Sequence, residues 1–487
     1  MIGVARCLLV TAAGGGLVVG ATNLPVDLDF SHSYNRVAPA AQTAPVRTVT
    51  LVCPGPEVDG GSTGAADAAG GPAANRVVVA APAPATLLGS TGRGSLAMGG
   101  LPTGGSWPGG ARRAAVSATP RASQAVQVLL TGALAPGASA VQRSVTTTGT
   151  SRALIMAPCL PPTSQAWLVG GGSQAGRRER LVLANSAPNP VTVDVSVLGA
   201  AGPVASPGGE GLVVPGYGRT VLLLDGIAGQ ESAPVVRVTA RGGTVAATLN
   251  DTWLDGLVPR GGDDVVGTVG PSREQVLPAW SLSGAGTIRV AVPGEDEAVV
   301  QVRLLTPDGP RALPRDGVVR VAGRTVRDIA VAGVPAGAYA VQVRSDRPVL
   351  AGALAERRAA GAGPSDFAWS AAAPPITGLG GSPLPTPLAG LTNELHLAVS
   401  GSGGPVTVTT VDKSGTATSR AVRVPDDAVS TVPLGPATAV WVSPGDVKGV
   451  RAGVVSTMVR PDGVLLSSIP LTDLALTVTQ PGLLQLP

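Results

Sequence analysis

The chain has 487 residues and a formal charge of +4, with 44% hydrophobic, 2% aromatic and 14% charged residues. Its length suits roughly three domains at about 150 residues each, and its basic residues are scattered arginines with only Lys413 and Lys448 as lysines, so a nucleic-acid partner is not expected. His32 and His396 are the only histidines, which leaves little material for a zinc site or a histidine-based mechanism, and no cofactor or metal is expected.

The N-terminus opens with one positive side chain, Arg6, followed by the uncharged run CLLVTAAGGGLVVGA from Cys7 to Ala21. A short positive head and an apolar stretch describe a secretory signal. The run is short for a bilayer span, which needs about 20 residues. Cleaved or retained as an anchor, it places the rest of the chain outside the cytoplasm, and the membrane is expected to be met only through this segment. Residues 22–46 read as a linker. The expectation is therefore a secreted or membrane-anchored extracytoplasmic protein.

Strand signals begin at Arg47 with RTVTLVC and resume with RVVVAAPAP from Arg76, AVQVLLTG at 125–132 and SRALIMAPC at 151–159. Stretches rich in Gly, Ala and Pro separate them at 57–75 and 89–110. After Cys7 only Cys53 and Cys159 remain, and an even pair in an exported chain reads as a disulfide. Closing a loop of about 100 residues in this way is worth roughly 4–5 kcal/mol on chain-entropy grounds. Residues 47–165 are thus expected to form an N-terminal β domain with a disulfide.

Beyond Cys159 the chain repeats. RLVLANSAPNPVTVDVSVLGAAG from Arg180, TIRVAVPGEDEAVVQVRLLTPDG from Thr287 and ELHLAVSGSGGPVTVTTVDKSG from Glu394 share a strand–loop–strand–turn pattern. Period-2 alternation with frequent turn signals predicts three β-sandwich repeats, at 166–279, 280–372 and 373–487. The fold class expected is all-β, with tandem antiparallel, immunoglobulin-like sandwiches. Tyr339, after the turn at Pro335, stands where a tyrosine corner bonds its hydroxyl to upstream backbone. Trp167, Trp280 and Trp369 each fall near the start of a repeat and are read as packing residues at the joints.

Motif matches are weak. Gly60-Gly61-Ser62-Thr63-Gly64 fits a nucleophile elbow but lies in a Gly/Ala stretch with no strand before it. Gly92-Arg93-Gly94-Ser95-Leu96-Ala97 fits a dinucleotide fingerprint without its strand–helix context. The pairs and triads Asp263-Asp264, Glu295-Asp296-Glu297 and Asp426-Asp427 read as solvated turns, and His396 as a solvated strand histidine. Arg177, Arg178 and Arg180 form the densest basic cluster. No catalytic, cofactor-binding or metal residue is assigned.

Several ordered segments resemble the DUF5719 family of uncharacterised actinobacterial secreted proteins. They are LVCPGP at 51–56, Pro158-Cys159-Leu160-Pro161-Pro162, the glycine run after Trp167, LVLANSAPNPVTVDV, and NDTWLDGLVPRGGD from Asn250. The resemblance implies export and an envelope location and transfers no site. The function expected is that of a non-enzymatic envelope protein, a scaffold or binding protein near the membrane, with an envelope protein or a cell-surface glycan as partner. The alternatives are a glycan-binding surface protein and an enzyme on envelope polysaccharide.

Overall fold

The computed structural model describes residues 42–55, 57, 75–89, 92–102, 106–110, 114–121, 124–358, 363–385 and 387–480. The N-terminal run read in the sequence as a signal or anchor, His32 and the Gly60–Gly64 motif lie outside them. Residues 45–477 form one compact unit. A two-stranded ribbon, Gln42–Pro45 with Thr477–Gln480, involves the other.

Regular structure between residues 48 and 471 is nearly all strand, and its ladders are antiparallel. Helix among the described residues is limited to single turns at Ala85–Leu88 and Asp225–Ala228 and a 3-10 turn at Pro207–Gly209. The strands rest on the alternation visible in the sequence. In Val191–Gly199, Val191, Val193, Val195 and Val197 are buried while the residues between them face outward, the period-2 signature of a strand with one wet face.

The unit contains four copies of one strand order, spanning 48–159, 165–265, 272–371 and 380–471. Counting Leu212–Val214 and Val318–Val321 as second pieces of the fourth strand in the second and third repeats, one sheet in each runs first–sixth–third–fourth strand and the other fifth–second–seventh–eighth. The fourth repeat shows it cleanly, with Gly380–Pro383, Ala439–Ser443, Gly404–Val411 and Ala417–Val424 facing Val429–Pro433, Leu391–Val399, Val450–Arg460 and Gly463–Leu471. In the third repeat the sixth and seventh strands are one continuous strand, Gly337–Arg358, which passes from one sheet to the other. Each pair of sheets encloses a core of Val, Leu and Ala. The first repeat shares this order although its sequence shows no copy of the pattern. Strands Gly94–Leu101 and Ser106–Gly110 occupy the stretch that reads as Gly/Pro-rich loop, and the Gly92–Ala97 motif runs into extended strand rather than a strand-to-helix turn.

Strand Ser272–Leu282 straddles the joint expected near 280 and pairs with Gly337–Arg358 of the third repeat. Trp280 is therefore a core residue of that repeat, fully buried with Leu277, Ile288 and Val341 and packed beside Gly286. The same cluster takes in Val455 and Leu466 of the fourth repeat and nothing from the second, so a role joining the second and third repeats does not fall to Trp280. Tyr339, opposite Trp280 across the ladder, donates its hydroxyl to the Pro335 carbonyl at 2.8 Å.

Candidate functional site

The eighth strands of the repeats, Ala153–Cys159, Val258–Val265, Ser365–Ala371 and Gly463–Leu471, are the edges of their own sheets. Each lies against two of the others. Ser365–Ala371 touches Val258–Val265 and Gly463–Leu471, and Ala153–Cys159 touches the same two. The four strands therefore form a hub, and the first repeat meets the fourth to close the ring. Val79, Val141, Leu154 and Met156 of the first repeat share a core with Leu395, Val454 and Ile469 of the fourth.

Burying four edges creates a physical difficulty, because the outward amides of an edge strand have no ladder partner and a buried unpaired amide costs about 1–3 kcal/mol. Side chains supply the acceptors. Asp366 accepts from Leu154 N at 3.2 Å and Leu466 N at 2.9 Å on one oxygen, and from Gly262 N at 3.2 Å on the other. One carboxylate thus ties the third repeat to the first, second and fourth. Asp263 accepts from Trp369 N at 2.7 Å and from the Ser467 hydroxyl at 3.3 Å, while Ser467 Oγ accepts from Met156 N at 3.1 Å. Asp264 accepts from Asn250 at 3.0 Å and Gln142 at 2.9 Å, and Gln142 in turn accepts from Gly55 N at 3.0 Å. Gly261 adopts φ +113°, and a Cβ there would stand 2.2 Å from Asp366 Oδ1, so glycine is what lets the two strands approach.

The joint between the second and third repeats is built on an arginine. Arg177 makes a two-pronged bond to Asp251, at 2.8 and 2.5 Å, and lies within 5.2–5.9 Å of the ring centres of Phe367, Trp369 and Trp253. Trp369 Nε1 donates to Asp251 at 2.8 Å. Phe367 and Trp369 belong to the third repeat by strand but pack in the core of the second, with Leu168, Leu181 and Val265. Arg289 of the third repeat bonds Asp328 and reaches the carbonyls of Gly171 and Pro234 in the second. Trp167 is half-buried under Arg237, 5.3 Å from its ring centre.

The structure departs from the sequence expectation at two places. Asp263 and Asp264 stand in a strand with 0% and 3% exposure, not in a solvated turn. His396 is also fully buried, with Nε2 3.1 Å from Glu394, because both faces of Leu391–Val399 are covered. One face holds Leu395 and Leu397 in the fourth repeat's core, while on the other Ala398 packs with Val276 and Ala340 of the third. The remaining acidic turns lie at the surface, with Asp427 half-buried: Asp296 and Glu297 pair with Arg347 and Arg320, and Asp426 and Asp427 accept from Gly403 N and Gly401 N. The basic cluster is split, with Arg177 buried and paired and Arg178 exposed. Among the described residues no group of three His, Cys, Asp or Glu side chains is placed to hold a metal ion.

Burial raises the hub carboxyls. Asp366 is pushed up to about 7 and Asp264 to about 6, each by loss of solvent and against the pull of the hydrogen bonds it accepts. Asp263 is raised well above its ordinary value by burial, with Asp264 and Asp366 adding repulsion. Glu179, buried beside Asp251, is raised to about 8. Free carboxyls titrate near about 4. The folded chain therefore holds protons above pH 4 that the unfolded chain has released. This contribution to stability is complete below about pH 4 and is lost as pH rises through about 6, 7 and 8. The carboxyls held low, such as Glu231, Glu274 and Glu394, act only below about pH 4.5. The melting temperature is expected to fall by several degrees from pH 5 to pH 8, and scanning calorimetry showing a rise over that interval would contradict the assignment.

Cys53 and Cys159 are bonded, joining the first strand of the first repeat to its hub strand. Beside the bridge, at the C-terminal ends of the first, second and fourth hub strands, residues of those three repeats line a pocket of about 290 Å³. A second, of about 360 Å³, lies around the other ends of the first two hub strands, between Ala153, Trp253 and Gly261. The disulfide partners were legible as the chain's only remaining cysteines. The hub's polar residues lie in the segments NDTWLD and RGGDD, which the structure places on the strands Ala246–Asp255 and Val258–Val265.

A model of DUF5719, a family of unknown function, matches residues 114–435. No curated protein matches the chain. Among solved structures, a tetra-tandem repeat from the extending region of a large adhesion protein is 12% identical over 80% of this chain and 92% of that one, with a TM-score of 0.10. A glycoside hydrolase family 32 structure from Bifidobacterium adolescentis is 10% identical over 89% and 96%, with a TM-score of 0.12. At such scores neither bears on fold or function.

Proposed function

The chain belongs to the DUF5719 family, and from that premise we propose that it is a non-enzymatic extracytoplasmic envelope protein, a rigid β-scaffold that holds its outward loops for a protein partner near the membrane. The observation that carries this reading is the use made of the hub carboxylates. Asp263 and Asp366 are fully buried and bonded to backbone amides of neighbouring repeats. A pair of carboxylates serving glycoside hydrolysis needs access to substrate and water, and these hold strands together instead. The Cys53–Cys159 bridge supports an oxidising compartment, and the apolar run from Cys7 to Ala21 supports export.

A glycan partner has less support. Sugar recognition favours exposed aromatic platforms. Trp280, Trp369 and Trp441 are buried, Trp107, Trp167 and Trp253 are half-buried, and Tyr217 is the exposed large aromatic among the described residues. Leu257, at the tip of the hairpin Ala246–Asp255/Val258–Val265 and 85% exposed, fits contact with a protein.

The test is location together with chemistry in cells that make the full chain. The protein is expected outside the cytoplasm, with Cys53 and Cys159 bonded, and the purified chain is expected to turn over no ester, peptide or common glycan. Reduced thiols in the cytoplasm, or turnover abolished by one substitution at an exposed side chain, would overturn the reading.

A further inference from the structure

Beyond a scaffolding role, we propose that the pocket beside the Cys53–Cys159 bridge is a binding site for a neutral aliphatic chain bearing one hydrogen-bonding group, of the fatty-alcohol or acyl-ester class. The pocket is not a seam between two surfaces but a cavity assembled from three repeats. Val52 and Pro158 come from the first, Ala247 and Thr248 from the second and Pro470 from the fourth. Its volume, about 290 Å³, stands at the lower end of small-molecule sites, about 300–1,000 Å³.

The chemistry of the wall selects the ligand. The lining is mostly Val, Leu, Ala and Pro, with no aromatic ring on which a sugar could stack and no basic group to hold a phosphate or carboxylate. Asp473, the one charged group of the lining, disfavours an anionic ligand further. Most hydroxyls of the wall are already engaged: Ser139 donates to Gly381 O, Thr163 to Gln165 O and Thr268 to Ala372 O. Thr248 differs. It is 3% exposed, lines the pocket, and its Oγ1 has no hydrogen-bond partner. A buried hydroxyl without a partner is costly in a folded protein, and a ligand hydroxyl or carbonyl placed against Thr248 would satisfy it while the chain fills the aliphatic space.

Calorimetric titration of the full chain with 1-decanol tests this, using wild type, Gly267→Leu and Thr248→Val. Gly267 lines the pocket at an ordinary φ, and a Cβ there meets no atom within 4 Å, so a larger side chain starts there without a clash at Cβ. The expected result is saturable one-to-one binding to wild type, at least about a tenfold loss in Gly267→Leu with unchanged melting, and a loss of about 2–10-fold in Thr248→Val. No saturable binding to wild type, or undiminished binding to a normally melting Gly267→Leu, overturns the proposal. If Gly267→Leu melts lower, Thr248→Val decides, and unchanged affinity there overturns it. None of these outcomes depends on where the protein resides or on its protein partner.

Discussion

Asp366→Ala is expected to cost about 3–9 kcal/mol in chemical denaturation, because three buried amides lose their acceptor at about 1–3 kcal/mol each. Those amides, of Leu154, Gly262 and Leu466, belong to three different repeats. The loss therefore falls on the assembly of the ring rather than on one sandwich, and a loss near the upper end would exceed or approach the whole stability of many domains. Asp366→Asn should lie between the variant and wild type. Its carbonyl oxygen can still accept, but its NH₂ would face an amide donor that the second carboxylate oxygen now serves. Raising the pH ionises Asp366 and weakens wild type, and neither variant can titrate at this position, so the difference between wild type and either one should narrow from pH 5 to pH 8. A loss below 1 kcal/mol in Asp366→Ala would mean that the hub amides find other acceptors.

Trp369→Ala is expected to cost about 4–6 kcal/mol. Truncating a buried Trp costs about 3–5 kcal/mol through transfer and cavity terms, and the lost bond from Nε1 to Asp251 adds to it. The structural consequence separates this residue from Trp280. Trp369 lies on a strand of the third repeat and fills the core of the second, so its truncation should destabilise both, and Trp369→Ala combined with Leu181→Ala should be non-additive. Trp280→Ala should act on the third and fourth repeats, whose residues surround it. Trp369→Phe keeps most of the packing and loses only the donor, so it should recover more than half of the stability. Additivity of Trp369→Ala with Leu181→Ala would place Trp369 outside the shared core.

The sequence made the β class and the later repeats legible because their outer strands have one wet face. Val191–Gly199 and Ala298–Thr306 alternate inside and outside as a half-buried strand must. The disulfide was legible by elimination. The hub was not, because Ser365–Ala371 is buried on every residue and so carries no alternation to read. Its aspartates sit among Gly, Ser and Ala, where carboxylates ordinarily mark solvated turns. The same reason hides His396, whose strand is covered on both sides. The first repeat escaped comparison because glycines fill Gly94–Leu101 and Ser106–Gly110, and glycine gives a strand no side chain by which to match it.

The resemblance to DUF5719 and the hub turn out to share residues. The segment NDTWLDGLVPRGGD supplies Asn250, Asp251, Trp253, Gly261 and Asp263, which bond Asp264, hold Arg177, face that guanidinium, admit Asp366 and accept from Trp369 N. The motif is thus part of what fastens the second repeat to the first and the third.

Four edge strands meet in a buried hub, where side-chain carboxyls accept from outward amides. Hydrogen exchange of the amides of Leu154, Gly262 and Leu466 tests it most directly. They have side-chain acceptors and no ladder partner on that side, so a chain of four loosely strung sandwiches would leave them among the fastest to exchange. The closed ring predicts that they exchange only with global unfolding, at rates matching core amides such as those of Leu181 or Val454, and that Asp366→Ala releases all three together. Exchange within seconds in the wild-type chain would contradict the hub.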